Sequence, residues 1–393
     1  MLQNGCFISL KICLSTRIAL EMENKKYKIS FCTVCMNRLH HLKQTLPKNI
    51  NDNLGYGNIE FVLLNYNSKD DLDEWVKSEM QEYIDSGILT YYKTTEPESF
   101  HMSHSKNVVA RCATGDIICN IDADNFTGEG FADYTNKMFY ENDNIFLTTD
   151  TYHSIRDCYG RICIKKKDFY KSCGYDENME SYGFEDNDLK NRLQLLSLTK
   201  VYITDRSFLS AISHQDTERL KNDKIFLEFE GVFIRYIDYA SSIVVFLFKN
   251  SRCFIGEVII NRLFNSESIE NLFIENREFD DEFSILGDKW ENNTWVNIDG
   301  NYSFNNNSII LSSIKNELIE EKNSTDSFLI INNVEFIEIK DHEDILTLTM
   351  FYSQITNRNR MKENERTKKI IVNEKPYGRA TLIKNFKEAV TLR

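Results

Sequence analysis

The sequence predicts an α/β domain built on a mostly parallel sheet with helices on both faces, followed by a smaller β-rich domain. Three observations predict it. Strand and helix signals alternate from Tyr27 into the low 200s, "DIICNIDAD" is the unbroken apolar run that a sheet covered on both faces requires, and short alternating runs broken by Asn and Gly fill the chain from Lys289 onward.

Taken in order, "KISFCTVCM" (28–36) is a β-rich run, and a helical pattern starts at Arg38 that Pro47 helps to close. "IEFVLLNYN" (59–67) is the second strand, and "DDLDEWVKSEMQEYI" is a helix with acids in its first turn to suit the dipole. "ILTYYKT" is the third strand, "SHSKNVVARCAT" a helix ending at Gly115, and "DIICNIDAD" the fourth strand. Successive β-α units imply right-handed crossovers and a ligand site beyond the carboxyl ends of the strands. Further on, "FADYTNKMFYEN" reads as a helix, "IFLTTD", "GRICI" and "KVYIT" as strands, and a long glycine-punctuated loop leads to a helix from about Glu185. Residues 223–264 are aromatic and apolar with helical spacing, and the Asn-rich "GNYSFNNNS" is a set of turns. The expected organisation is an unstructured extension over 1–26, an α/β domain over 27–222, a helical connecting segment over 223–284 and a β-rich accessory domain over 285–393.

With 393 residues the chain has ample length to bury two cores, and 41% hydrophobic with 12% aromatic residues fits a globular protein. A formal charge of -13 argues against general nucleic-acid binding. The last stretch, 357–393, is nevertheless basic, with eleven Lys/Arg against four Glu, which suits a solvated surface or peripheral contact with anionic lipid. The ten cysteines are scattered through apolar runs, the pattern of reduced, buried thiols in a cytoplasmic protein, and the CxxC of "FCTVCMN" has no second pair to complete a zinc site. "SSIVVFLF" is far too short for a membrane span.

The chemistry concentrates in two acidic clusters. "CNIDADNF" ends a buried run with Asp122 and Asp124, which on a continuing strand share one face about 7 Å apart. Carboxylates so placed repel unless a cation lies between them, and hard cations such as Mn²⁺ and Mg²⁺ take one or two carboxylates plus substrate phosphates. The second cluster, Glu185, Asp186 and Asp188 in "YGFEDNDLKNRL", lies at a helix start. Helix capping accounts for one or two of these acids. A carboxylate there, backed by Tyr182 and Phe184, is suited to act as a general base with a raised pKa.

Four segments in order resemble the GT-A-type glycosyltransferases of the family 2 kind, including the galactosyltransferase-like and polysaccharide-polymerase branches. They are "SFCTVCMNRLHHLKQTL", "LLNYNSKDD", "SKNVVARCATGDIICNIDADN" and "GYDENMESYGFEDNDLKNRL", and the resemblance covers roughly residues 27–220. It implies that Thr33, Asn37, Arg38, Asn65, Asn67, Asp70, Lys106, Asn107 and Asp122 surround a nucleotide-sugar donor. It further implies that Asp124, with Asp122 and His214 of "AISHQD", holds Mn²⁺ or Mg²⁺, that Asp186 is the base and that Glu185 orients the acceptor. Three positions depart from the family pattern: Asn65 replaces its usual Asp, Lys106 its usual Arg, and Val34 a frequent Pro.

The activity so implied is a metal-dependent, inverting transfer of a sugar from a nucleotide diphosphate to a hydroxyl of a glycan or lipid-linked acceptor, in the cytoplasm or at the inner face of the membrane, in polysaccharide biosynthesis. The rival expectation is a GT-A-fold binding module that has lost turnover, which the Asn65 and Lys106 departures suit. A nucleotidyltransferase requires a glycine-rich phosphate loop after the first strand, and "CMNRLHHLK" has no glycine.

Overall fold

A computed structural model describes residues 26–180, 182–236 and 342–393, together with 241–249, 253–259 and short strand segments between 283 and 340. The Asn-rich stretch and all of the expected extension except Lys26 lie outside the described residues. The chain forms two units. The first holds the chain up to Asn178, then Glu185–Ser213 and Asn364–Arg393, and the second holds Met179–Phe184 and His214–Glu363.

The first unit is organised by a nine-stranded sheet. Its strands are β1 (Ile29–Cys35), β2 (Ile59–Tyr66), β3 (Leu89–Thr94), β4 (Ile117–Asn120), β5 (Ile145–Thr148), β6 (Ile162–Lys165), β7 (Thr199–Tyr202), β8 (Ala380–Lys384) and β9 (Glu388–Leu392). They lie in the order β9-β8-β3-β2-β1-β4-β6-β5-β7. The central β3, β2, β1 and β4 are parallel, and β6 runs antiparallel beside β4. The helices are α1 (Leu39–Asn53), α2 (Leu72–Glu79), α3 (Met102–Cys112), α4 (Phe131–Glu141) and α5 (Glu185–Leu195).

The two-residue period of the strands divides the core. Phe31, Phe61 and Leu63 face Leu42, Leu46, Val76 and Phe139, whereas Cys32, Val62 and Leu64 face Val108, Val109, Leu189 and Leu193. Thus α1, α2 and α4 cover one face and α3 and α5 the other, which is why the strands are apolar on both sides. The described cysteines are unpaired and buried.

Four expectations are corrected. Pro47 does not close its helix: α1 runs on to Asn53 because tertiary hydrogen bonds from Asn49 and Asn53 outweigh the one backbone bond that proline removes. The segment expected to be helical within 223–284 contains the antiparallel strands Phe229–Tyr236, Ser241–Phe248 and Cys253–Ile259 in the second unit. Periodicity cannot tell a short, fully apolar run from a buried helix, and β-branched Ile243, Val244 and Val245 favour strand. The second unit is β-rich, as expected, but it begins at His214 rather than near 285 and contains all but the last turn of the 25-residue helix α6 (His342–Arg366).

The fourth correction concerns the last thirty residues, which are not part of an accessory domain. Strand β8 pairs antiparallel with β3 and β9 follows it, so the hairpin covers what would be an open parallel edge. Asn385 both donates from its backbone to Tyr91 O (2.8 Å) and accepts from Tyr91 N (2.9 Å). Among the described residues no helix is long and apolar enough to cross a membrane.

Candidate active site

β4 stops at Asn120, and Asp122 to Asn125 form a turn closed by Asn125 N donating to Asp122 O at 2.9 Å. The expectation of two aspartates along one strand face is therefore replaced by two aspartates on a tight turn. That turn is pinned from several sides. Thr45 of α1 donates to Ala123 O (2.6 Å), Asn49 to Asn125 O (2.9 Å), and Ile212 N to Asp124 O (2.8 Å). Asn125 donates to Asp124 Oδ1 (2.7 Å) and to Asp157 O (2.9 Å). Arg161, fully buried, spans Asn125 Oδ1 (3.1 Å), Phe126 O (2.9 Å) and Phe208 O.

Glu185 and Asp186 begin α5, and the structure brings them to the same place through Lys106. Its ammonium, 4% exposed, lies 2.9 Å from Glu185 Oε1 and 2.9 Å from Asp186 Oδ1, over the ring of Tyr175. Gly160 completes the cluster: a β-carbon there meets Asp122 Oδ2 at 2.8 Å and Asp186 Oδ2 at 3.0 Å. The aromatic beside the carboxylates is thus Tyr175, while Tyr182 and Phe184 belong to the second unit.

Charge and burial set the protonation. Burial pushes the Asp186 carboxyl up to about 8, against the pull of Lys106 and with the push of Glu185. Burial also raises Asp122, opposed by Lys106 and reinforced by Asp124 beside it. Glu185 behaves oppositely: burial pushes it up, but the Lys106 ammonium outweighs this and holds the carboxyl below its ordinary value. Replacing Lys106 with Met leaves two buried acids without their cation. The expected loss is about 3–5 kcal/mol of stability, read as the shift in urea-unfolding midpoint at pH 7.

Other implied donor residues divide into two groups. Asn65 and Asn107 are engaged in hydrogen bonds within the protein. Asn65 donates to Asp73 Oδ1 (2.9 Å) and Tyr91 Oη (2.8 Å) and accepts from Ser68 N (2.8 Å), while Asn107 donates to Tyr175 O and Glu177 Oε1 (2.9 Å each) and accepts from Tyr175 N (2.8 Å). An asparagine suits both because it donates and accepts at once. Lys106 is paired with the two acids. By contrast, Thr33, Asn37, Arg38, Asn67 and Asp70 gather at the carboxyl ends of β1 and β2. Asn37 and Asn67 both have positive φ (58°), Asn37 Oδ1 accepts from Lys69 N (2.6 Å), and Asp70 caps α1 by accepting from Leu39 N (2.9 Å). His214 opens the second unit, with Nδ1 3.4 Å from Gln215 O.

Sequence reasoning missed the supports from the C-terminal segment. Asn364 Nδ2 bridges Asp176 Oδ2 (3.0 Å) and Asp188 Oδ1 (2.9 Å), and Asp188 in turn pairs with the buried Arg192 (2.6 Å). Asn373 donates to Cys173 O (2.7 Å) and Tyr175 O (2.5 Å) and accepts from Glu177 N (2.9 Å). Gly174 lets this loop pass Asn107, since its φ is +69° and a β-carbon would lie 2.2 Å from Asn107 Oδ1. The alternating "ATLIKNFKEAVTL" was a readable hairpin signal, but nothing local in it names a partner.

Residues 30–154, which hold β1 to β5 and the Asp122–Asp124 turn, match the model of Glycosyl transferase family 2. Over that third of the chain the sequence is similar to family 2 glycosyltransferases. Its central parallel strands, the antiparallel β6 beside β4 and the acidic turn after β4 make the fold GT-A. No curated protein sequence matches the chain. Among solved structures, a mannosyltransferase from Pyrobaculum calidifontis in complex with GDP-Man and Mn²⁺ is 16% identical with a TM-score of 0.41, over 55% of this chain and 72% of that one. TarS 1-349 of S. aureus is 12% identical with a TM-score of 0.39, over 51% of this chain and 64% of its own. GalNAc-T7 with UDP, GalNAc and Mn²⁺ is 14% identical with a TM-score of 0.40, over 52% and 48%.

Proposed function

We propose that this glycosyltransferase domain moves one sugar, with inversion, from a nucleotide-diphosphate sugar to a hydroxyl of a glycan or lipid-linked acceptor, and that it needs a divalent cation. The observation that carries this is the convergence of Asp122 and Asp186, from turns more than sixty residues apart, on the space beside Gly160. Such convergence supports a donor-side carboxylate and a base acting on one reacting centre.

The residues present fit a hard cation. Asp122 and Asp124 stand side by side, Asp122 is raised partly by its neighbour, and both offer oxygen ligands. Asp124 and Asp122 would hold Mn²⁺ or Mg²⁺. When bound, such an ion stabilises the negative charge that builds on the departing diphosphate. Thr33, Asn37, Arg38, Asn67 and Asp70 border the nucleoside. Asp186 takes the acceptor proton, Glu185 stays ionised and orients the acceptor, and Lys106 holds both acids in place.

Donor binding is tested by thermal melts with UDP- and GDP-sugars and Mn²⁺, with and without EDTA. Stabilisation by one donor that EDTA abolishes is expected, and identical melts throughout would contradict the reading. Binding without nucleotide release in the presence of any acceptor would instead identify a binding module.

The pH dependence has a definite sign. A base must be ionised, and the Asp186 groups in play (Lys106, Glu185, Lys190 and Asp122) leave it near 8, so turnover should rise as pH passes from 7 to 9. Stability runs the other way. The folded pKa lies above the unfolded value near 3.9, so the contribution is full below that value and is lost as pH rises toward 8. Melting temperature relative to Asp186→Asn should therefore fall over this window, and a constant difference would contradict it.

A further inference from the structure

We propose that Gly160 sets the width of the gap in which the acceptor hydroxyl meets the transferred sugar, and that this position works only without a side chain. The inference rests on the function proposed above and adds a space-determining residue to it. A β-carbon on Gly160 falls 2.8 Å from Asp122 Oδ2, 3.0 Å from Asp186 Oδ2 and 3.7 Å from Lys106 Nζ. The first two are closer than a side-chain carbon ordinarily comes to an oxygen, so the donor-side carboxylate and the base both lie against this backbone and leave no room for a side chain.

Nothing about the backbone itself requires glycine, because Gly160 is not among the residues with positive φ. Its surroundings do. Asn120 Nδ2 donates to Gly160 O (3.1 Å) and to Asp122 Oδ1 (3.2 Å), fixing the floor of the gap and one wall by a single amide. Arg161, the next residue, is clamped to three acceptors, so the floor cannot drop away. The other wall is held where Lys106 grips Asp186 Oδ1 at 2.9 Å. A methyl group would press against two carboxylates that have no slack, in the place an incoming hydroxyl requires. Gly55 is different, since a β-carbon there meets nothing within 4 Å.

The step placed in this gap is balanced. The acceptor hydroxyl oxygen forms the new bond to the anomeric carbon, its proton passes to Asp186, and the bond from that carbon to the diphosphate oxygen breaks with its electron pair leaving on the nucleoside diphosphate.

The test compares wild type, Gly160→Ala, Gly160→Ser and Gly55→Ala. Three readouts apply: the melting temperature, the Mn²⁺-dependent shift given by UDP or GDP, and nucleotide release from UDP- and GDP-sugars with alkyl glycosides as acceptors. Both Gly160 variants are expected to melt cooperatively but below wild type and still to bind nucleotide with Mn²⁺, while acceptor-dependent release falls by about 100-fold or more and Gly55→Ala retains it. The inference is overturned if Gly160→Ala turns over like wild type. It is also overturned if the Mn²⁺-nucleotide shift disappears with turnover, which would mean that Asp122 had moved and the donor side was damaged. A wild-type protein that neither binds nor processes any donor removes the underlying reading and this inference with it, an outcome distinct from failure of the Gly160 variants alone.

Discussion

A chain ending at Glu363 is expected to lose the cooperative fold of its first unit. The missing residues supply β8 and β9, which cover β3, and they bury Val372, Tyr377 and Leu382 in the core on the α3 side or at its margin. Large apolar side chains contribute about 1.5–3 kcal/mol each when buried, and each net hydrogen bond about 1 kcal/mol. Asn364, Asn373 and Gly378 add hydrogen bonds to Asp176, Asp188, Tyr175 and Glu177. Arg111, on α3, further holds Gly378 O (3.0 Å) and Arg393 O (2.8 Å). The sum is comparable with the whole stability of a domain, about 5–15 kcal/mol. Circular dichroism melts should show a broad or absent transition for the truncated chain. A melt as sharp and as high as that of the full chain would show that the C-terminal segment is dispensable.

Replacing Asp186 with Asn is expected to abolish chemistry while improving the fold. The amide keeps the shape and keeps a polar group near Lys106, but it cannot accept the acceptor proton. Loss of a positioned general base costs typically 10²–10⁴-fold, roughly 3–5 kcal/mol of barrier. The variant also escapes the cost of ionising a buried carboxyl, so its melting temperature should exceed that of wild type at pH 9, with the difference shrinking steadily toward pH 4. The combination separates a catalytic role from a structural one, since a damaged fold lowers both. A variant less stable at pH 9 and active in proportion to its folded fraction would assign Asp186 to structure.

What could be read from the sequence was local. "CNIDADNF" and "GFEDND" announce their acids within a few residues, and the two-sided burial of Phe31, Val62 and Leu63 follows from unbroken apolar strands. What could not be read depends on distant partners. The resemblance implies only that Lys106 lies near the donor. Its partners within the protein lie 79 and 80 positions away, and only the fold brings an ammonium under two acids. The internal bonds of Asn65 and Asn107 were equally hidden, since an asparagine that ties a loop and one that meets a ligand have identical sequence signatures. The C-terminal hairpin pairs with Tyr92 and Lys93 across nearly three hundred residues, so its alternation was legible but its place in the sheet was not. "SSIVVFLF" failed differently: after its two serines no polar residue marks a period, and strand and helix look alike.

The measurement that tests the central claim most directly is acceptor-dependent nucleotide release from UDP- and GDP-sugars with Mn²⁺ at pH 8, for wild type beside Asp186→Asn. The account predicts release by wild type from one donor, lost with EDTA, and about 100-fold or more slower in the variant while its Mn²⁺-dependent donor binding is unchanged. Equal release by the two proteins would contradict the role given to the carboxylate cluster.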